Sequence, residues 1–414
     1  MDFGPPIDPF EYESVAGRIA FGRGAVANLR SMLAEHDAER ALVICGSNVG
    51  ANANTMSPIA ESLGDALAGT FDGTTAAKHA REAFDGLDTV REIEADALVA
   101  VGGGSSLDVA RAMCALYDEE SDDDYDDVRA RVVEAGALPV GDASLPVLAV
   151  PTTLAGADLS TVGSVTFYGS NSDASSNGGD GGETVTAGYG DPALMPDGLV
   201  YDPDLFETVP AGVLAGSAMN GFDKGLELPY SRHANPLTDA PALRGLSLLT
   251  PALPRLDEAA AGEEPAVMDR IVAGIVCVQH GRATRGNGLL SVIHAFGHGL
   301  RAEGVQQGIA HAVMAPPVLD YLFDRVDGRR EVLAAALDAG AMSGDDPATG
   351  VVSAVEEVRD GLNLPARLRD VDELERENLS GVAGVVVNDS FLANGPQGLD
   401  PTREEIDEVL NAAW

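Results

Sequence analysis

The chain has 414 residues, 45% of them hydrophobic, and no apolar run near the roughly 18 residues that a bilayer-spanning helix needs. Lys and Arg number 26 against 66 Asp and Glu, a formal net charge of −40; that balance repels nucleic acid and anionic membranes, and the apolar content argues against a disordered acidic tail. Only Lys78 and Lys224 are lysines, which fits an acidic surface adapted to molar salt, where a Debye length of about 3 Å screens self-repulsion.

The length predicts two or three domains at about 100–200 residues each. The opening MDFGPPIDPFEYES has neither a basic nor an apolar signal region. Cys45, Cys114 and Cys277 stand far apart in apolar surroundings. Together these features point to the reducing cytoplasm and against a disulfide framework or zinc ribbon.

In chain order, Arg18–Phe21 reads as a short strand, and a helical pattern continues through Leu29 and Leu33. Residues 41–45 (ALVIC) form a continuous apolar run ending at Gly46, the pattern of a parallel strand buried on both faces. Helical stretches are predicted over about 58–67 and 76–95. Residues 97–101 (ALVAV) are a second buried strand, ending in Gly102-Gly103-Gly104-Ser105-Ser106; the next helix has Leu107, Ala110 and Met113 on one face. Leu145–Val150 is a third buried strand, running into Pro151-Thr152-Thr153. Strands alternating with helices imply a parallel sheet covered on both faces. Glu119–Asp127 reads as a solvated acidic loop, and Gly169–Gly190 as a mobile surface loop. From about Leu205 the strand signal fades. Helical patterns cover Ala211–Leu228, Ala240–Leu249, Ala266–Arg285, Gly288–Arg301, Ile309–Phe323, Arg330–Ala341 and Ala348–Asn363. A capping box, Thr402-x-x-Glu405, opens a last helix. The expected architecture is an α/β domain with a parallel sheet over residues 1–204 and an all-helical domain over 205–414.

Two places carry chemistry. The Gly102–Ser106 turn joins a buried strand to a helix. Glycines allow close backbone approach, and the helix N-terminus offers free N–H groups and partial positive charge, a place for a nucleotide pyrophosphate. Gly46 ends the earlier strand where an adenosine ribose would otherwise meet an acidic residue, which leaves NADP open beside NAD. In the helical half, Asn220 and Lys224 are four apart on one helix and His294 and His298 on another, with Gln307 and His311 a short way on. Each pair shares a helix face. Lys224 is one of two lysines retained in the whole chain.

At these residues the chain resembles the iron-containing alcohol dehydrogenase family, within the dehydroquinate synthase-like superfold. The resemblance rests on Gly102-Gly103-Gly104-Ser105-Ser106-Leu107-Asp108, Pro151-Thr152-Thr153, residues 200–205 (VYDPDL), residues 235–240 (NPLTDA) and Gly288-x5-His294-x3-His298. Residues 153–158 (TLAGAD), Met219-Asn220 and Asn394-Gly395-Pro396 look most like the maleylacetate reductase branch. The resemblance implies a Rossmann-like N-terminal domain, a helical C-terminal domain, a nicotinamide cofactor in the cleft between them, and a homodimer. It assigns Asp108 and Ser105–Ser106 to the pyrophosphate turn and Thr152 and Thr153 to the nicotinamide side.

The chain departs from the family at the metal. Laid on the family's ligand positions, the residues read Asn220, Lys224, His294 and Gln307. Two amides and an ammonium are a poor donor set for Fe or Zn. The expectation is therefore a metal-independent NAD- or NADP-dependent oxidoreductase acting on a small polar alcohol or carbonyl, with carboxylate-bearing substrates among the candidates. Lys224 would stabilise alkoxide charge, His298 would supply the proton, and Asn220, His294 and Gln307 would orient the substrate. A competing set, Asp223, Glu227, His294 and His311, has acceptable metal-ligand chemistry. It requires a helix face displaced by roughly 60°, since three residues advance about 300°; otherwise Glu227 reads as a helix-capping or hinge contact. A third reading is a nucleotide-binding relative without catalysis.

Overall fold

A computed structural model describes residue 12 and residues 17–117, 124–141, 145–169, 184–283, 288–339 and 346–414. The first half alternates β1 (Arg18–Phe21), α1 (Leu29–Ala34), β2 (Ala41–Gly46), α2 (Ser47–Gly50), α3 (Ala53–Leu63), β3 (Leu67–Thr74), α4 (Ala80–Glu92), β4 (Ala97–Gly102), α5 (Gly104–Leu116), α6 (Tyr125–Ala135) and β5 (Val147–Pro151). A hairpin, β6 (Val162–Phe167) and β7 (Val185–Gly190), precedes β8 (Gly198–Tyr201). Six strands form one parallel sheet in the order β1-β8-β5-β4-β2-β3; β6 and β7 pair antiparallel as a separate ribbon. The unbroken apolar runs become the central strands because both faces must be covered: β4 and β5 are buried at every position. One face packs Leu29, Met32 and Leu33 of α1 and Ile59 and Leu63 of α3 against Val43, Val99, Val101 and Val150.

The strand order reverses at β2 and β4. The chain runs outward from β2 to β3, then returns to the other side of β2 for β4. Open parallel sheets bind ligands beyond the carboxyl ends of the strands at such a reversal. Here those ends are Gly46 and Gly102.

Two loop expectations need correction. Val185–Gly190, expected inside a mobile loop, is β7; its period-two burial places Ala187 and Tyr189 inward. The acidic stretch expected as a loop through Asp127 instead turns helical at Tyr125. Asp124 caps α6 through the N–H groups of Asp126 and Asp127, and acidic side chains favour a helix N-terminus. Residues 119–123 and 170–183 of those stretches lie outside the described residues.

After Tyr201 every described element is helical: α7 (Pro203–Phe206), α8 (Ala211–Tyr230), α9 (Pro236–Ala252), α10 (Leu256–Ala260), α11 (Pro265–Arg282), α12 (Val292–Arg301), α13 (Gln307–Arg325), α14 (Arg330–Ala336), α15 (Pro347–Gly361), α16 (Leu379–Val386) and α17 (Arg403–Ala413). The Thr402–Glu405 capping box opens α17 with both reciprocal bonds made. A parallel-sheet half and then a helical half is thus the observed fold class. By contacts, one compact unit holds Gly17–Gly221 and Ala252–Val276, and the other Phe222–Pro251 and Cys277–Trp414. Among the described residues no helix is long and apolar enough to cross a membrane.

Candidate active site

In the sheet-bearing unit, β4 ends on Gly102 with φ +130°, a conformation that glycine adopts without steric cost. Gly103 then caps α5 through backbone alone. A Cβ on Gly103 would lie 3.1 Å from Thr153 Cγ2, and one on Gly104 3.1 Å from Ala157 Cβ, so the turn is closely walled by the segment after β5. Thr152 is buried, and its N–H donates to the Gly102 carbonyl at 3.0 Å. Ser106 Oγ is 2.9 Å from Thr74 Oγ1 at the end of β3. Asp108, one turn into α5, meets Lys78 Nζ at 2.8 Å and Arg111 at 3.3 Å, and Lys78 also donates to Ser164 Oγ at 3.1 Å. The structure therefore gathers Gly46, Gly102–Ser106, Asp108, Thr152 and Thr153 around the strand reversal. It adds Lys78, whose only sequence signal was the scarcity of lysine.

The second constellation, Asn220 apart, lies in the other compact unit. Asp223 and Glu227 of α8 are fully buried, as is His311 of α13; His294 of α12 is 3% exposed. The close approach of α12 to α13 depends on Gly297: a Cβ there would sit 2.4 Å from His311 Nε2. Asp223, His294 and His311 each place a donor atom within 4.8 Å of the others.

Glu227 is committed elsewhere. Its Oε2 accepts the Ser291 N–H at 2.9 Å and His294 Nδ1–H at 2.6 Å. Its Oε1 accepts the N–H groups of Ile293 at 2.8 Å and His294 at 3.2 Å, with the Tyr230 hydroxyl at 3.2 Å. Since α12 has no side-chain cap of its own, a carboxylate from α8 supplies it. With Nδ1–H held by Glu227, the lone pair of His294 stands on Nε2, and that atom is buried without a hydrogen-bond partner. A carboxylate that fixes the tautomer of a ligating imidazole is a usual feature of metal sites.

Both oxygens of Asp223 and Nδ1 of His311 are likewise buried without partners. Asp223 Oδ2 lies 3.1 Å from His294 Nδ1 and 3.2 Å from His311 Nδ1. These would be ion pairs only with a protonated imidazole, which burial opposes. Burial, reinforced by the charge of Lys224, holds His294 well below the usual imidazole range; burial and the neighbouring His294 do the same for His311. Burial, with the adjacent Glu227 charge, pushes the Asp223 carboxyl well up, against the opposing pull of Lys224. Burial raises Glu227 too, opposed by the backbone N–H groups at the start of α12. Neutral imidazoles are the donor state a divalent cation requires, and a cation's charge would favour the ionised form of Asp223 that burial alone opposes. Two imidazoles and one carboxylate suit Fe2+ or Zn2+.

The residues present therefore fit a metal ion, so the expectation that the donor set is too poor for Fe or Zn does not hold for Asp223, His294 and His311. The three-residue offset along α8 decides it: Asp223 and Glu227, rather than Asn220, share the cluster with His294 and His311. Lys224 is 6% exposed, and its charge acts on Asp223, His294 and His311. Asn220 Oδ1 is buried without a partner. Gln307 Nε2 is 3.4 Å from His311 Nε2, so Gln307 borders the cluster through its neighbour. His298, one turn beyond His294, is 34% exposed and bonds through Nδ1 to Asp389 Oδ2 at 2.8 Å. Asp389 was not anticipated; it lies 91 positions away in sequence and carried no motif signal.

Comparison with known proteins matches two family models, iron-containing alcohol dehydrogenase over residues 16–203 and the C-terminal part of the Fe-containing alcohol dehydrogenase family over 211–414. The chain is 25% identical over 401 residues to lactaldehyde reductase of Escherichia coli, covering 95% of this chain and 97% of that one. It is 25% identical over 406 residues to maleylacetate reductase of Pseudomonas knackmussii, covering 98% and 97%. Among solved structures, sulfoacetaldehyde reductase from Bifidobacterium kashiwanohense in complex with NAD+ superposes with a TM-score of 0.79 at 18% identity, covering 98% and 99% of the two chains.

Proposed function

Because the chain belongs to the iron-containing alcohol dehydrogenase family, and so is an oxidoreductase acting on a CH–OH or carbonyl group, we propose that it exchanges hydride between NAD or NADP and a small polar alcohol–carbonyl pair. Asp223, His294 and His311 hold a divalent metal ion in this reading. The observation that carries it is the set of partnerless buried atoms on those three side chains, in a cluster whose imidazoles burial keeps neutral. The ion, when bound, supplies Lewis-acid polarisation of a substrate oxygen.

The chain's own residues do the rest. Gly102–Ser106 and the N-terminus of α5 receive the dinucleotide pyrophosphate at the strand reversal, with Gly46, Asp108, Thr152 and Thr153 beside it. Glu227 holds the His294 tautomer. His298 gives a proton to the carbonyl oxygen on reduction and takes one from the hydroxyl on oxidation. Lys224 adds a positive charge suited to a carboxylate-bearing substrate, and Asn220 and Gln307 supply amides for orientation. The reading includes a homodimer working in a salt-rich cytoplasm, without nucleic-acid or membrane partners.

A second reading keeps the same reaction without metal, with Lys224 as the group that stabilises alkoxide charge. The near-complete burial of this lysine next to Asp223 favours it.

Elemental analysis of protein purified in molar KCl separates the two. The first reading expects about one Fe2+ or Zn2+ per chain, lost in Asp223→Asn, with NAD(P)H-linked turnover lost on chelation and restored by the ion. Full turnover in metal-free protein, abolished by Lys224→Ala, overturns it in favour of the second.

A further inference from the structure

His298 carries two ring nitrogens, and which one bears the proton when the ring is neutral is decided by its neighbours. Among the described residues the hydrogen bond of its ring is to Asp389: Oδ2, 2.8 Å from Nδ1, on a side chain that is 11% exposed. The other oxygen of the same carboxylate has a separate task. Asp389 Oδ1 accepts the Phe391 N–H at 2.8 Å and caps the short 3-10 turn Ser390–Asn394. That turn carries Phe391, whose ring centroid is 4.9 Å from that of His298 and 6.3 Å from that of His294. One carboxylate thus fixes the turn, the aromatic wall and the imidazole together.

We propose that Asp389 is a positioning residue for the proton transfer: it holds the Nδ1–H of His298 so that Nε2 is the nitrogen that exchanges the substrate's proton. The proposal rests on the proton-donor role given to His298 above. In reduction, a bound reduced nicotinamide would supply hydride from C4 to the carbonyl carbon as the carbonyl π pair moves onto oxygen. That oxygen takes the proton from Nε2 of the His298 imidazolium. The products are oxidised nicotinamide, the alcohol, and a neutral imidazole still donating Nδ1–H to Asp389. Solvent restores the Nε2 proton, as the partial exposure of His298 allows. With the opposite tautomer, Nε2 would carry the proton in the neutral ring and could not accept one from the hydroxyl in the reverse direction.

The two tasks of Asp389 can be separated by substitution. In Asp389→Asn the cap still needs an oxygen facing the Phe391 N–H, and Asn is as good a cap as Asp. The amide NH2 then faces His298 Nδ1 and drives the proton to Nε2. Asp389→Ser keeps a cap while removing the second oxygen, which guards against a folding defect peculiar to the amide.

The test joins steady-state kinetics with NMR of 15N-histidine-labelled protein, the His298 signals being identified by their loss in His298→Gln. Three results are expected. In unaltered protein the neutral His298 ring shows protonated Nδ1 and bare Nε2, and in Asp389→Asn the labels exchange. In Asp389→Asn kcat falls roughly 10–100-fold while the KM for nicotinamide cofactor stays within about twofold. The double variant His298→Gln/Asp389→Asn is no slower than His298→Gln alone, because Asp389 acts only through the imidazole. Unchanged kcat in Asp389→Asn, an unchanged tautomer, or losses that multiply in the double variant would each overturn the proposal. Unimpaired turnover in His298→Gln would remove the proton-donor role itself, and with it the proposal. Impairment there with a fully active Asp389→Asn removes only the role of Asp389.

Discussion

Replacing Glu227 by Gln removes one charge and almost no volume, and the groups around the carboxylate set the cost. Four N–H groups converge on it, two at each oxygen. If the new amide nitrogen takes the Oε1 side, the N–H groups of Ile293 and His294 both lose their acceptor. If it takes the Oε2 side, the Ser291 N–H is orphaned and His294 must shift its proton to Nε2. The second arrangement sacrifices fewer backbone bonds and is the expected one. One orphaned buried N–H costs about 1–3 kcal/mol. Loss of the anion at the start of α12 adds about 0.3–1 kcal/mol. Removal of a buried charge gives part of this back, since burial disfavours the ionised carboxylate. The net expectation is about 1–3 kcal/mol. For a unit of about 150–250 residues that corresponds to a fall of about 2–12 °C in the unfolding midpoint. The tautomer shift also takes the lone pair from His294 Nε2, so metal affinity should fall about 10–100-fold. Calorimetry in molar KCl and metal content after dialysis against a buffered chelator measure the two effects. A Glu227→Gln protein with unaltered midpoint and full metal content would refute both the capping argument and the tautomer argument.

Gly297→Ala places a methyl 2.4 Å from His311 Nε2; it should cost about 1–3 kcal/mol by overpacking and displace His311, seen as a lower unfolding midpoint with reduced metal content. Burial pushes the thiols of Cys45 and Cys114 up to about 11 and about 12, with Asp72 and Asp197 adding to the effect. At pH 8 only roughly 0.1% of Cys45 or less is thiolate. Dithiobis-nitrobenzoate should therefore leave both unmodified in the folded protein and react once it is unfolded; rapid native labelling of either would contradict their placement in the core.

The sheet was legible because its central strands are buried on both faces and so must be continuous apolar runs, as 41–45, 97–101 and 147–150 are. The turn at Gly102–Ser106 was legible because its glycines and serines sit where a strand meets a helix, and the same residues carry the family. The edge strand β3, with LAGTFDGT, and the hairpin strand β7 were not, since strands with an open face need few apolar residues. In the helical half, periodicity placed Asn220 with Lys224 and Asp223 with Glu227 on neighbouring faces of α8, but nothing local says how a helix is rotated about its own axis. That rotation comes from packing: a Cβ on Gly225 would lie 2.8 Å from Leu246 Cδ2, and Gly297 admits His311. Contacts between residues 64 and 91 positions apart, Glu227 with Ser291 and His298 with Asp389, exist only once the chain has folded. Residue types and local period thus determined the fold class, the glycine-serine turn after β4 and the resemblance to the family. Which carboxylates face the histidines was decided by side chains interlocking between helices distant in sequence.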